Sequence, residues 1–367
     1  MKELDIIHTI ARTLPEPAAL ADDAFVAPEP FNNILTTDLF IEGRHFDRAY
    51  FSPYDIGWKS VSAAVSDIAA TGGQLGYVLI SLGLPEDCNL EFVSAFYEGV
   101  RHALEAAGAS SSAIAGGDTV SAPVITVNVT AIGSMPAGHT PGRRWEARPG
   151  DVLIATGQHG MSTVGYEVMR RGMFGYPIAR QRHLRPVARI QSGLALSGKL
   201  DRYALMDSSD GLADAILKIA EASQVHIDVY ADRLPVHPDI KTFCEALGSF
   251  SPLEEVLYGG EDFELVATVP TTAVLQRQLP PEFAIIGRVT EGPIGADLLE
   301  TYGGKLVTPL SLAFTYQHFN AARPEGPAIP PPQPDPEPEA PVELLEAEPA
   351  DAPEMESEEA LEATEAF

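Results

Sequence analysis

The chemistry open to this sequence lies mainly in aspartates set beside threonines and paired glycines. Asp22-Asp23 precedes the first strand-like segment, and Thr36-Thr37-Asp38 lies within NILTTDLFI. Asp67 sits in SAAVSDIAA, Asp118 follows Gly116-Gly117, and Asp207 and Asp210 bracket two serines in DSSDGL. Oxygen donors next to tight glycine turns suit magnesium, a hard ion bound through oxygen. No His/Cys grouping has zinc-like spacing. Taken singly, most of these residues have ordinary uses: Asp118 as a turn residue, Ser209 or Asp210 as a helix N-cap. Asp67 differs, because an ionised carboxylate in an apolar, Ala-rich helix is costly unless paired or metal-bound. If several of the carboxylates converge, each close pair repels by up to ~4 kcal/mol at a separation of about 4 Å and an effective dielectric of about 20. Convergence would therefore require cations.

The usual alternative for phosphate chemistry is a P-loop. Gly193–Lys199 (GLALSGK) fits seven positions of that pattern, but Leu200 stands where a Ser or Thr should meet magnesium. Arg189–Leu196 reads as helix, so no strand leads into it, and a helix ending at Gly198 accounts for the match.

Charge narrows the partners. The 367 residues carry a formal net charge of −28; residues 324–367 hold 14 Asp/Glu and 11 Pro with no Lys or Arg, leaving −14 on the rest. Such a body disfavours nucleic acid, whose backbone is bound through clustered Lys and Arg. It permits ATP, whose charge magnesium can offset. Cys88 and Cys244 form no CxxC pair and read as free thiols in a reducing compartment. The N-terminal residues lack the apolar stretch of a signal peptide. No apolar run approaches the roughly 20 residues that span a bilayer. These features point to a cytoplasmic protein without a membrane partner.

The chemistry needs elements to hold it. Asn33–Ile41 reads as a strand. A helix follows Ser52-Pro53, with Trp58, Val61, Val65 and Ile68 at helical spacing, and Gly72-Gly73 ends it. Leu75–Leu84 and Val124–Ile132 read as strands, with a helix from Asn89 to Gly108 and a short strand into Gly116-Gly117-Asp118. Pro136–Pro149 is rich in Gly, Pro and Arg and reads as a domain boundary. Beyond it, strands are expected at Asp151–Thr156, His226–Tyr230, Phe263–Val269 and Ala284–Val289, with helices at Ser162–Arg171 and Asp210–Ala222. Short turns join several strand pairs, which favours α+β over a doubly wound sheet. After residue 323 the composition is that of a disordered Pro/Glu-rich acidic tail: a solvating extension, or a tether for a basic partner.

The ordered motifs resemble the thiamine-monophosphate kinase family, of the superfamily that includes aminoimidazole ribonucleotide synthetase. They run from Ala21-Asp22-Asp23-Ala24 through Thr36-Thr37-Asp38, Ser66-Asp67-Ile68-Ala69-Ala70 and Gly116-Gly117-Asp118-Thr119. His183-Leu184-Arg185-Pro186, Asp207–Leu212, Gly259–Leu265 (GGEDFEL) and Tyr316-Gln317-His318-Phe319 follow. The resemblance implies a two-domain aminoimidazole ribonucleotide synthetase-like fold. Residues 1–148 would carry the metal and nucleotide site on a mixed sheet whose domain forms a homodimer, and residues 149–322 an α/β domain, ahead of the tail at 323–367.

The resemblance also implies roles. Asp23, Thr36, Thr37, Asp38, Asp67, Asp118, Asp207 and Asp210 look like ligands of several Mg2+ ions, with turnover depending most on Asp67, Asp118 and Asp210. Gly117, Asp118, Arg144 and Ser209 look like ATP contacts. His45, Glu261 and Tyr316 look like contacts to thiamine monophosphate, which would become thiamine diphosphate. There are departures. Ala21 replaces the first Gly of GDDA, and Val120-Ser121-Ala122 follows Thr119 where the family has a second Thr, then an Arg and a Gly. A kinase for another phosphomonoester, or a nucleotide-binding paralogue using its acidic tail as a contact arm, stays open.

Overall fold

The structure, a computed structural model, describes residues 24–26, 32–110, 113–248 and 251–314. Asp23, Tyr316 and the acidic tail lie outside the described residues. Among these residues twelve strands form two sheets. The first contains β1 (Phe25–Val26), β2 (Asn33–Ile41), β3 (Gln74–Leu84), β4 (Ile114–Ser121) and β5 (Thr126–Ser134), in the order β1-β2-β5-β3-β4. Only β3 and β4 run parallel. Helix α2 (Leu90–Ala106) lies in their connection, as a parallel crossover requires.

Helix α1 (Pro53–Thr71) joins β2 to β3 and is the helix on which the site is built. Ser52 and Asp55 form a capping box, Pro53 takes the first helical position, and Gly72 closes the end at φ +77°. The helix is buried on nearly every side, and Ser60, Ser62, Ala63, Ala64 and Ser66 keep it thin. A Cβ on Gly99 would stand 1.9 Å from the Tyr54 carbonyl oxygen, so α1 and α2 touch backbone to backbone.

The second sheet contains β6 (Val152–Thr156), β7 (Ala204–Asp207), β8 (His226–Tyr230), β9 (Leu265–Val269), β10 (Phe283–Thr290), β11 (Gly295–Leu299) and β12 (Leu306–Pro309). Its order is β12-β11-β8-β10-β6-β9-β7, with only β8–β11 parallel. The helices of this half are α3 (Met161–Arg170), α4 (Pro177–Leu184), α5 (Ile190–Ser197), α6 (Leu212–Ser223), α7 (Pro238–Leu247), α8 (Pro252–Tyr258) and α9 (Thr271–Leu275). Alternate residues of one strand serve opposite cores. Ile154, Leu205 and Ala267 join Ile34, Ala64 and Val127 in a core that runs through α1. Leu153, Met206 and Val266 pack instead with Met161, Ile216 and Phe243. The fold is α+β, as expected.

Three local readings are corrected. Asp118 lies inside β4, not in a turn, because β4 pairs with β3 along 114–121. The N-cap of α6 is Gly211, not Ser209 or Asp210. Strand β9 begins at Leu265, because Phe263 takes a φ of +52° that breaks the ladder.

Candidate active site

Helix α1 connects the two sheets through neighbouring side chains. Asp67 accepts a hydrogen bond from Thr36 Oγ1 of β2 at 2.5 Å. Ser66 donates to Asp207 Oδ2, at the end of β7, at 2.6 Å. Two of the expected carboxylates, Asp67 of α1 itself and Asp207 of the second sheet, thus stand at contacts made by adjacent residues of one rigid helix. The chain after Asp207 leads to the motif GGEDFEL: Ser208 N–H donates to the Glu264 carbonyl at 2.8 Å, and Glu261 N–H donates to the Ser209 carbonyl at 2.6 Å.

A cationic group borders Asp210. Lys218 Nζ lies 3.2 Å from Asp210 Oδ2 and 2.7 Å from Asp214 Oδ2. Burial pushes the Asp214 carboxyl up to about 6, against the pull of Lys218. Arg144 lies near enough for its charge to act on both Asp214 and Lys218, and its carbonyl is fixed by Ser223 Oγ at 2.7 Å.

The GGEDFEL segment turns its acids to different uses. Glu261 and Phe263 have positive φ, +64° and +52°, an uncommon backbone state for non-glycine residues. Between them Asp262 is buried and accepts the N–H groups of Gly160 and Ser162, at 2.6 and 2.8 Å, at the start of α3. Burial pushes its carboxyl up to about 7 despite those bonds. Glu264 is buried too and holds Thr156 Oγ1 at 2.6 Å and the Arg189 guanidinium at Nε (2.7 Å) and Nη2. Glu261 points outward, and its carboxylate meets Lys59 Nζ at 3.0 Å.

Other expected residues stand apart. The register places Thr36 and Asp38 on the α1 side of the sheet. Thr37 pairs with Thr130 on the opposite face, and Asp118 pairs with Ser81 there. Thr37 Oγ1 accepts from Asn128 Nδ2 at 3.0 Å on that outer face. Gly117 lies inward on β4, where a Cβ would come within 1.7 Å of the Ile80 carbonyl oxygen. His45 Nδ1 accepts the Ile41 N–H at 3.0 Å, so its ring proton sits on Nε2. Asp23 and Tyr316 lie outside the described residues. Two concavities, of about 330 and 460 Å3, lie away from this group and are lined by none of these residues.

Sequence reasoning assigns no role to Lys59, Asp262, Glu264, Arg189, Lys218 or Asp214. Lys59 carries the same signal as Asp67, a charge within the buried face of one small-residue helix.

Among the described residues no three His, Cys, Asp or Glu side chains converge as a ready ion cage. The donors nevertheless fit magnesium. All are oxygens, and magnesium is commonly held by one or two carboxylates with substrate phosphates completing the shell. Asp67 with Thr36, and Asp207 with Ser66, are groups of that kind.

His159, next to this network, is 1% exposed, and neither ring nitrogen has a hydrogen-bond partner among the described residues. Burial pulls its pKa from 6.5 down to about 4. The folded value lies below the unfolded one, so its contribution is complete above pH 6.5 and is lost as pH falls toward 4. The stability of the wild type relative to His159→Leu should therefore fall by about 3 kcal/mol across that window. Denaturant titrations at several pH values check this; a constant difference contradicts it.

Residues 21–135 match the family description "AIR synthase related protein, N-terminal domain", and residues 148–298 match its C-terminal counterpart. The thiamine-monophosphate kinase of Aquifex aeolicus is 36% identical over 300 residues, covering 79% of this chain and 92% of that protein. That of Bacillus subtilis is 36% identical over 282 residues, covering 73% and 84%. A solved structure described as AaThiL complexed with AMPPCP and TMP superposes with a TM-score of 0.74 at 33% identity, covering 87% of this chain and 97% of that one. The hydrogenase maturation protein HypE, at 22% identity and a TM-score of 0.62, shares the fold.

Proposed function

The chain belongs to the thiamine-monophosphate kinase family of AIR synthase-related proteins, and from that premise we propose that it moves the γ-phosphoryl group of ATP to the phosphate of thiamine monophosphate, giving ADP and thiamine diphosphate. The observation that supports this best is the pair of contacts on α1: the helix's own Asp67 meets Thr36 of the first sheet, and the adjacent Ser66 meets Asp207 of the second.

Magnesium would be held by Asp67 and Asp207 with Thr36, Asp38 and Asp210 around them, and would neutralise phosphate charge and align the reacting groups. Asp23 belongs to the same proposed set, and Thr37 and Asp118, on the outer face of the first sheet, would hold a further ion of it. Gly117, Arg144 and Ser209 would contact the nucleotide, with the bare Gly117 backbone allowing close approach. His45, Glu261 and Tyr316 would contact the acceptor. An ionised phosphate acceptor needs no strong base, so the protein's share is positioning and charge.

A homodimer fits the first sheet's outer face. Leu35, Leu39, Tyr77 and Leu79 are 39, 50, 55 and 37% exposed there, and contiguous exposed apolar surface marks an association site. Thr37 and Asp118 share that face, so pairing of two copies would bring them toward the interface. Residues 1–148 and 149–322 are proposed as the two domains, in a cytoplasmic protein. No described helix is long and apolar enough to cross a membrane.

An ADP-release assay over a panel of phosphomonoesters tests the assignment. Thiamine monophosphate should give the highest kcat/KM, and release should require added magnesium. A different preferred acceptor, or nucleotide binding with no turnover on any of them, overturns it.

A further inference from the structure

Lys59 is among the most deeply buried large side chains in the molecule, 1% exposed; burial pulls its pKa down, and the Glu261 carboxylate opposes that pull. Burying an ammonium is costly unless it is paired and hydrogen-bonded. The described surroundings meet that need in one direction. Nζ lies 3.0 Å from Glu261 Oε2, 3.5 Å from each ring nitrogen of His183, and 5.3 Å from the centroid of the Phe51 ring. His183 is 2% exposed, and its Nδ1 lies 3.0 Å from Ser162 Oγ. Burial and the neighbouring ammonium hold its pKa well below the ordinary value, so the imidazole is neutral and can accept from Lys59. Glu261 is the outermost member of the chain of contacts, at 36% side-chain exposure.

The segment His183–Pro186 then acquires a use. His183 meets Lys59, Arg185 Nε binds Asp55 Oδ1 at 2.6 Å, and the Pro186 carbonyl accepts from Trp58 Nε1 at 2.6 Å. Three residues of the first two turns of α1 are thus gripped by one four-residue segment. The helix cannot rotate or slide without breaking them, so Lys59 Nζ is fixed in place.

We infer that Lys59 is a positioning residue for the acceptor side of the site: its ammonium, sealed beneath Glu261, anchors one carboxylate oxygen so that the other is presented outward, and the grip of residues 183–186 on α1 sets where that anchor stands. The inference rests on the proposed reading that Glu261 contacts the acceptor. Glu261 needs such an anchor. Its backbone is in the left-handed region, and a solvated glutamate there would otherwise sample several rotamers.

Steady-state kinetics on the full-length protein test this with Lys59→Met, Lys59→Arg, Glu261→Gln and the double variant Lys59→Met/Glu261→Gln. Lys59→Met should fold, since the partner it leaves is exposed enough for water to solvate. It should raise the KM for thiamine monophosphate about ten- to a hundredfold, the range expected for loss of a charge-assisted hydrogen bond, with the KM for ATP within about twofold of wild type. Lys59→Arg, which keeps the cation, should recover most of the loss and stands as the decisive variant if Lys59→Met does not fold. In the Glu261→Gln background, Lys59→Met should add little, because the two act through one contact. Equal rises in both KM values, failure of Lys59→Arg to recover acceptor affinity, or additive effects in the double variant overturn the inference. If Glu261→Gln alone leaves acceptor KM unchanged, the reading of Glu261 fails, whatever Lys59 does.

Discussion

Asp67→Asn should lower kcat by at least about a thousandfold while the protein keeps its fold. The side chain accepts the Thr36 hydroxyl, and an amide oxygen can accept that bond equally, so α1 and β2 stay joined. What is lost is the charge. In a reaction catalysed by charge neutralisation and alignment, loss of one carboxylate from a cation-binding set weakens both, and a neutral amide cannot replace it. Asp118→Asn should act similarly and leave stability unaltered, because Asp118 is exposed on an edge strand. Paired measurements of kcat and of the thermal midpoint check this. Near-normal turnover in either variant contradicts the metal-dependent site.

The second large effect concerns stability. Glu264→Leu should cost about 3 kcal/mol, the lower end for breaking a buried ion pair from one side, since Arg189 keeps some contact with water. Glu264 joins Thr156 on β6 to Arg189 at the start of α5. It also lies against the bare backbone of Gly157, where a Cβ would meet its Oε1 at 2.1 Å. Burial opposes its ionisation, yet the hydrogen bonds and charge of Arg189 leave its pKa below the ordinary value. Removing the carboxylate strands the guanidinium and the Thr156 hydroxyl together. The thermal midpoint should fall by roughly 5–10 °C. A shift below about 2 °C contradicts the role given to the pair.

The division between what sequence reveals and what it conceals follows from distance along the chain. Asp67 stands out because a carboxylate in an Ala-rich helix breaks a local rule. Lys59, two turns earlier, breaks the same rule, but its partners His183 and Glu261 lie 124 and 202 residues away. Ser66 and Asp207 are similarly remote, at 141 residues. The strand reading of Asn33–Ile41 holds to the residue. Which of Thr36 and Thr37 faces α1 depends on the register with β5, which no local pattern states. Strand β7 escapes notice because it has four residues, all buried, and lacks the alternation of a half-exposed strand. The glycines of GGD suggest a turn, yet both lie within β4, where Gly117 serves close backbone approach to Ile80. The ordered motifs carry the family assignment where single residues do not, because their order reflects the fold that gathers them.

Transfer of labelled phosphorus is the most direct test of the proposed activity. The protein is incubated with ATP labelled at the γ-phosphorus, magnesium and thiamine monophosphate, and the products are separated. Label is expected in the terminal phosphoryl group of thiamine diphosphate, formed mole for mole with ADP. Label recovered only as inorganic phosphate, or retained in ATP while the nucleotide binds, would contradict it.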